Sequence, residues 1–323
     1  MKKLTTSVII CTRNRLTDIL TFLPTLQDQT EPPTELIIVD SSTEQLKNIP
    51  AFQQLFNTDN FHKTRLLYLH TEPGLTFQRN CGIKKATGDI IFFFDDDVTL
   101  EKKYLEIMLK SYEQNPSFAG GMGTVTNIKS YNFNAYRIFR LLFLLDRNHA
   151  SGNFTLSGMP THTYGNNIFS TTQVLGGCCM SFTSWALKQE KFDEKLRFYG
   201  YMEDCDISKR LSDNHQLFYQ PLAKLAHHES PLNRDKLKHN RAMYIANYSY
   251  LFFKNFYPQA RWKILFYYWT VLGLLLEGIL RFDKQVFFGY LLGLQHVLCT
   301  RAQLPYCPST STQNKTSTPQ HSS

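Results

Sequence analysis

Four short apolar runs, Ser7–Cys11, Leu36–Asp40, Arg65–His70 and Ile90–Phe94, alternate with helix-forming segments at Leu16–Gln27, Gln45–Phe56, Leu75–Ala86 and Glu101–Glu113. Runs this short and continuous suit strands buried on both faces, and their alternation with helices predicts an α/β fold with a parallel, doubly wound sheet. Each of three runs ends on polar residues: Thr12-Arg13, Asp40-Ser41 and Asp95-Asp96-Asp97. In such a sheet these residues converge outside the carboxyl ends of the strands, where open α/β sheets bind ligands.

The Asp95–Asp97 triplet sets the chemistry. Three adjacent carboxylates repel, each pair at about 4 Å costing on the order of 1 kcal/mol in water and about 4 kcal/mol near a protein surface. A solvated acidic turn before a helix is the simple alternative, but that repulsion argues for a cation between the carboxylates. Hard cations such as Mg2+ or Mn2+ take oxygen ligands, commonly one or two carboxylates with substrate phosphates. A second chemistry is nucleophilic: Asp-x-Asp-x-Thr-Leu after an apolar strand resembles the aspartyl-phosphate motif of haloacid-dehalogenase-like phosphatases, with Asp95 as nucleophile and Asp97 as general acid. Three strands precede the triplet and Val98 replaces the usual glycine, which speaks against that motif.

Beyond Ser117 the pattern changes. Further strands are predicted at Phe118–Asn127, Gln173–Phe182 and Gln216–Tyr219, with an apolar helix at Ala135–Leu145 and a Gly-, Ser-, Thr- and Asn-rich loop at His149–Asn167. A short helix, Glu203–Leu211, carries Glu203, Asp204 and Asp206 in its first turn, where acids also suit the helix dipole. A longer aromatic helix is expected over residues 232–256, stopped by Pro258, and residues 302–323 form a polar Ser/Thr-rich tail expected to be disordered.

The ordered series SVIICTRNR, ELIIVDSST, GLTFQRNCGIKKATGDIIFFFDDDV, GGCCMSF, YGYMEDCDISKRL and HHESPLNR resembles a family 2 glycosyltransferase of the GT-A fold, of the bacterial surface-polysaccharide type. It extends over about residues 5–235. The resemblance implies a Rossmann-like nucleotide-binding half with a mixed sheet (1–116) and an acceptor half (117–258). It implies an inverting transfer from a nucleotide-diphosphate sugar to a hydroxyl acceptor, a glycan or lipid-linked glycan. Thr12 and Arg13 would lie against the nucleotide, Asp40 would meet the base, and Arg79 and Asn80 would stand beside it. Asp97 would ligate the metal, with Asp95 and Asp96 holding the ribose and the metal's waters and Asp95 close enough to ligate as well. Glu203-Asp204 would be the catalytic pair, Asp204 acting as base, and His227 or His228 a further metal ligand, the register favouring His227. The small residues of GGCCM would line the acceptor path, and Trp185 would wall the acceptor or fill the core. A non-catalytic membrane-bound partner of a transferase is the remaining alternative.

Charge is uneven. The net charge is +8, yet residues 231–301 carry ten Lys and Arg against Asp235, Glu277 and Asp283. These basic residues border apolar runs instead of forming a polar stripe, which favours an anionic membrane face over nucleic acid. Seventeen residues separate Lys263 from Arg281, interrupted only by Glu277, and sixteen uncharged ones separate Lys284 from Arg301. A bilayer span needs about 20 apolar residues, so residues 259–301 are expected to associate with the membrane as interfacial helices. Val286, Phe287, Tyr290, Leu291, Leu294, Val297 and Leu298 mark the apolar stripe of the second. The run Val8–Ile10 is too short for a secretory signal, so the expected location is the cytoplasmic side of the plasma membrane.

Overall fold

The computed structural model describes residues 3–57, 59–128, 135–146, 151–228 and 237–307. Its nucleus is β1 (Thr6–Thr12), β2 (Glu35–Asp40), β3 (Arg65–His70) and β4 (Ile90–Phe94), all parallel, in the order β3-β2-β1-β4. Val8, Ile9 and Ile10, Leu36 to Val39 and Ile90 to Phe94 are at most 2% exposed, as strands covered on both faces require. Helices α1 (Leu16–Gln27), α2 (Pro50–Leu55) and α3 (Leu75–Lys85) make the crossovers. The helix expected over Gln45–Phe56 is split: residues 46–48 form a 3-10 turn, and Pro50 starts α2.

The sheet then becomes mixed. β5 (Val98–Leu100), α4 (Tyr104–Gln114), β6 (Gly120–Val125), α5 (Ala135–Leu142), β7 (Ser170–Thr172), β8 (Met180–Thr183), α6 (Ser184–Gln189), α7 (Glu203–Ser212) and β9 (Leu217–His227) follow. β8 pairs antiparallel with both β4 and β6, while β9 pairs parallel with β6 and antiparallel with β5 and β7. The strand expected over Gln173–Phe182 begins only at Met180, because residues 173–179 form a loop. Conversely, β9 runs eight residues past Tyr219. Pro221 interrupts it as a sequence signal, but the β6–β9 ladder absorbs the break with a register shift between Met122 and Thr124.

At the C-terminal end come α8 (Leu237–Leu251), a π turn at Phe252–Phe256, α9 (Ile264–Leu280) and α10 (Lys284–Thr300). Residues 232–236 of the expected helix, residues 149–150 of the expected loop and residues 308–323 of the expected tail lie outside the described residues. These helices share one core with Phe143, Val174, Leu196, Met202 and Cys205. α10 packs on α8 through Gly289 and Gly293, and Val286, Tyr290 and Val297 are buried. Much of the stripe expected to face a membrane therefore faces protein.

α9 is inverted by the usual rule for a surface helix. Its inner face holds Tyr267, Thr270, Val271, Leu274 and Glu277, the last 3% exposed, accepting from Tyr136 and 3.2 Å from the Arg140 guanidinium. Its outer face is apolar, with Leu265, Tyr268, Trp269, Leu272 and Ile279 between 41% and 72% exposed, and Trp262 in the 3-10 turn before it is 57% exposed. Ile138 and Leu142 of α5 extend this face, joined by the Trp269 indole N–H donating to the Leu142 carbonyl at 2.8 Å. Residues 261–280 make a helix long and apolar enough to cross a membrane by length and composition.

Candidate active site

The chain leaves β1 towards β2 on one side and returns to β4 on the other, so the strand order reverses between β1 and β4. Thr12 closes β1 and Asp95–Asp97 follow β4, which places both at this crevice. The Thr12 hydroxyl donates to Asp96 Oδ2 at 2.6 Å, and Arg15 donates to Asp96 Oδ1 at 2.8 Å and to Asp97 Oδ2 at 3.4 Å. Burial pushes the Asp96 carboxyl up to about 7, against the pull of Arg15 and Thr12.

Asp96 and Asp97 form a turn between β4 and β5, and Asp95 and Asp97 both approach His227. The pairing of β5 with β9 sets Val98 opposite His227. His227 Nε2 then lies 3.0 Å from Asp97 Oδ1 and 3.9 Å from Asp95 Oδ2. Burial lowers the imidazolium, but the Asp97 hydrogen bond, Cys178 and Asp95 outweigh it and raise it to about 11. One donor atom from each of Asp95, Asp97 and His227 falls within a 4.8 Å span. Donors around one small dication bound at about 2.1 Å lie roughly 3–4.2 Å apart, so two carboxylates and an imidazole fit Mg2+ or Mn2+ here. A cleft of about 150 Å³ beside them is lined by Asp18, Thr21, Asp97, Val98 and His228.

The second half of the site comes from α7. Met202 precedes it with φ 70°, a left-handed conformation costly for a side chain of this size, and presents Glu203 and Asp204 at the helix start. Arg79 spans the two halves: it donates to Glu203 Oε1 at 2.5 Å and to the Gly177 carbonyl at 3.2 Å, and lies 3.6 Å from Asp95 Oδ1. Its guanidinium is buried over Phe192 and Phe93. Burial and the neighbouring Asp204 push Glu203 up to about 8, against Arg79, which pulls it down. Asp204 is less buried, and accepts from the Gly177 and Cys205 backbone N–H groups, each at 2.8 Å. A side chain at Gly177 would crowd both carboxylates, and one at Gly176 would strike the Tyr164 hydroxyl.

The expected site residues therefore divide. Thr12, Asp95, Asp96, Asp97 and His227 meet at the crevice, with Glu203 and Asp204 tied to them through Arg79. Arg13 is half-buried and forms no hydrogen bond or ion pair among the described residues. Asp40 is fully buried, accepting from Ser42 N–H (2.7 Å), Leu46 N–H (2.9 Å) and the Tyr68 hydroxyl (2.5 Å), so its carboxylate exposes no edge to a ligand. Asn80 is not turned to a nucleotide, because its amide is spent on Phe192 and Glu194. Arg79 likewise spends its fork inside the protein. His228, just past the end of β9, faces Thr99, 3.0 Å away, and lines the cleft beside Asp97. Trp185 packs against the core and the His215 ring, not on the site.

Arg15 was not anticipated, although its place three residues beyond a strand end beside the triplet is a usable signal. His162 and Tyr164 had none: they stack at 5.3 Å in the 151–172 loop. His162 is held below its ordinary value by burial, against the nearby Asp204, and its Nδ1 has no hydrogen-bond partner among the described residues.

The glucosyl-dolichyl phosphate glucuronosyltransferase of Haloferax volcanii is 30% identical over 125 residues, 37% of this chain and 37% of that protein. The glycosyltransferase YwdF of Bacillus subtilis is 28% identical over 137 residues, 42% of this chain and 48% of that one. The chain thus spans less than half the length of these relatives. Among solved structures, the mannosyltransferase PcManGT of Pyrobaculum calidifontis, in complex with GDP-Man and Mn2+, superposes with a TM-score of 0.54 at 12% identity, covering 94% of this chain and 83% of that one. GalNAc-T7 with UDP, GalNAc and Mn2+ gives 0.57 at 13%, covering 78% and 48%. These likenesses establish the GT-A-like fold. The model of the family described as Glycosyl transferase family 2 matches residues 7–189, more than half of the chain, and with the fold leaves no place for a phosphatase: the chain belongs to glycosyl transferase family 2.

Proposed function

We propose that this glycosyltransferase moves a sugar from a nucleotide-diphosphate donor to a hydroxyl acceptor with inversion, residues 1–258 forming the catalytic unit. The observation that carries the reading is the joining of Asp95, Asp97 and His227 to Glu203-Asp204 through one buried arginine. Asp95, Asp97 and His227 would hold Mg2+ or Mn2+, which when bound supplies positive charge to a departing diphosphate. Thr12 and Arg15 fix Asp96, leaving Arg13 to meet the nucleotide, while the buried Asp40 holds the Ser42 and Leu46 backbone in place. Asp204, the more open of the two acids, takes the proton from the acceptor hydroxyl. The hydroxyl oxygen bonds to the anomeric carbon from the face opposite the phosphate, which leaves with the electron pair. Glu203 is already committed to Arg79 and holds the helix start in place.

A glycan or lipid-linked glycan suits the acceptor side, as in surface-polysaccharide assembly. The inverted α9 supports work at a membrane face: an apolar outer surface bordered by Arg261, Lys263, Arg281 and Lys284 matches a bilayer with anionic headgroups. Asp204→Asn tests the assignment. Transfer should fall by about 10²–10⁴-fold, while calorimetric binding of nucleotide sugar with Mn2+ is retained. Loss of donor affinity at an unchanged maximal rate would make Asp204 a helix cap instead.

A further inference from the structure

A cleft lies away from the carboxylates, at the opposite end of α7. It measures about 500 Å³ and is lined by Phe154, Thr155, Gln173, Lys209, Phe256 and Lys263, among others. Phe256 meets Phe154 edge-on at 5.2 Å, and Lys209 and Lys263 place their ammonium groups 5.0 and 5.8 Å from the Phe256 ring. The two cations are not equivalent. Lys209 is nearly buried and pairs with Asp213, which also accepts from Gln259 at 2.8 Å. The Lys263 side chain forms no hydrogen bond or ion pair among the described residues. One positive charge is left over.

The rim of this cleft is continuous with the apolar face of α5 and α9. Leu144 lines it just beyond α5, Leu156 stands 47% exposed at its mouth, and Lys263 is followed within α9 by Leu265, 72% exposed. A ligand filling both would carry one negative charge on a polar head and an apolar tail. A phosphodiester has that single charge, whereas free phosphate brings nearly two and no apolar part. We propose that the cleft takes the phosphodiester headgroup of an anionic bilayer lipid, whose chains lie along Trp262, Leu265 and Leu142. This rests on the reading that α9 meets a membrane.

The test measures binding of the full chain to vesicles of phosphatidylcholine alone and of phosphatidylcholine with phosphatidylglycerol. The wild type should bind both and prefer the second. Lys263→Gln should lose about tenfold or more of the affinity for the anionic vesicles, as for a broken charge-assisted contact, and keep its binding to phosphatidylcholine. Arg261→Gln, which alters an exposed cation outside the cleft, should lose about fivefold at most. Equal losses from the two variants mean diffuse attraction and overturn the cleft assignment while sparing the membrane reading. Thermal stabilisation of the wild type, and not of Lys263→Gln, by inorganic phosphate at the same phosphate concentration would assign the cleft to a soluble ligand and overturn the lipid. If the wild type binds neither vesicle, the membrane reading falls and the proposal with it.

Discussion

Replacing Arg79 by methionine removes the one cation that Glu203 and Asp95 share and leaves a carboxylate 7% exposed without its partner. Methionine keeps most of the volume between Phe93 and Phe192, so the loss is mainly electrostatic. Stripping one member from a buried pair costs about 3–5 kcal/mol. Glu203 can escape part of that by protonating. In the wild type its folded value of about 8 exceeds its unfolded value of 4.5, so the native state binds the extra proton. Its contribution is therefore neutral below about 4.5, turns unfavourable as pH rises through that window, and is fully unfavourable above about 8. Without Arg79, which pulls the value down, the window extends further upward. Urea unfolding should show the Arg79→Met loss growing as pH rises past about 8, where the wild-type Glu203 ionises against Arg79, and exceeding its pH 5 value by about 2 kcal/mol at about pH 9.5. The double variant Arg79→Met/Glu203→Gln should recover most of that pH-dependent loss. A loss that is the same at both pH values, or a double variant no better than the single, would refute the bridge as the structural link between the two halves.

Asp97→Asn should abolish high-affinity Mn2+ binding, followed by electron paramagnetic resonance, and lower the thermal midpoint of the metal-free protein, because it also weakens the charge-assisted contacts to His227 and Arg15. Unchanged Mn2+ affinity would refute the metal role. Gly176→Ala places a Cβ 1.4 Å from the Tyr164 hydroxyl, so that ring must leave its stack on His162. The expected cost is about 1–3 kcal/mol of stability, with altered Tyr164 and His162 resonances in NMR; a variant as stable as the wild type with both rings undisturbed would contradict the packing.

The first four strands and the carboxylates at their ends were legible in the sequence because their causes are local. A buried parallel strand must be apolar throughout, and the polar residue that follows marks where it leaves the sheet. Which carboxylates meet His227 was decided by the turn at Asp96-Asp97 and by the register of β9. That register was not legible: Pro221 reads as an end to β9, and only pairing with β6 and β5 carries the strand on to His227. Arg79 has the same character. In sequence it is one basic residue on a short helix, and nothing local states that its guanidinium meets Glu203, more than a hundred residues later. For the last helices, composition determined that they are apolar and bordered by basic residues. Which face meets protein depended on the partners available: glycines 289 and 293 let α10 approach α8 closely, and Glu277 needed Tyr136 and Arg140. Burying that one charged group set Glu277 on the inner face beside Tyr267, Val271 and Leu274 and left Trp269, Leu265 and Leu272 facing out.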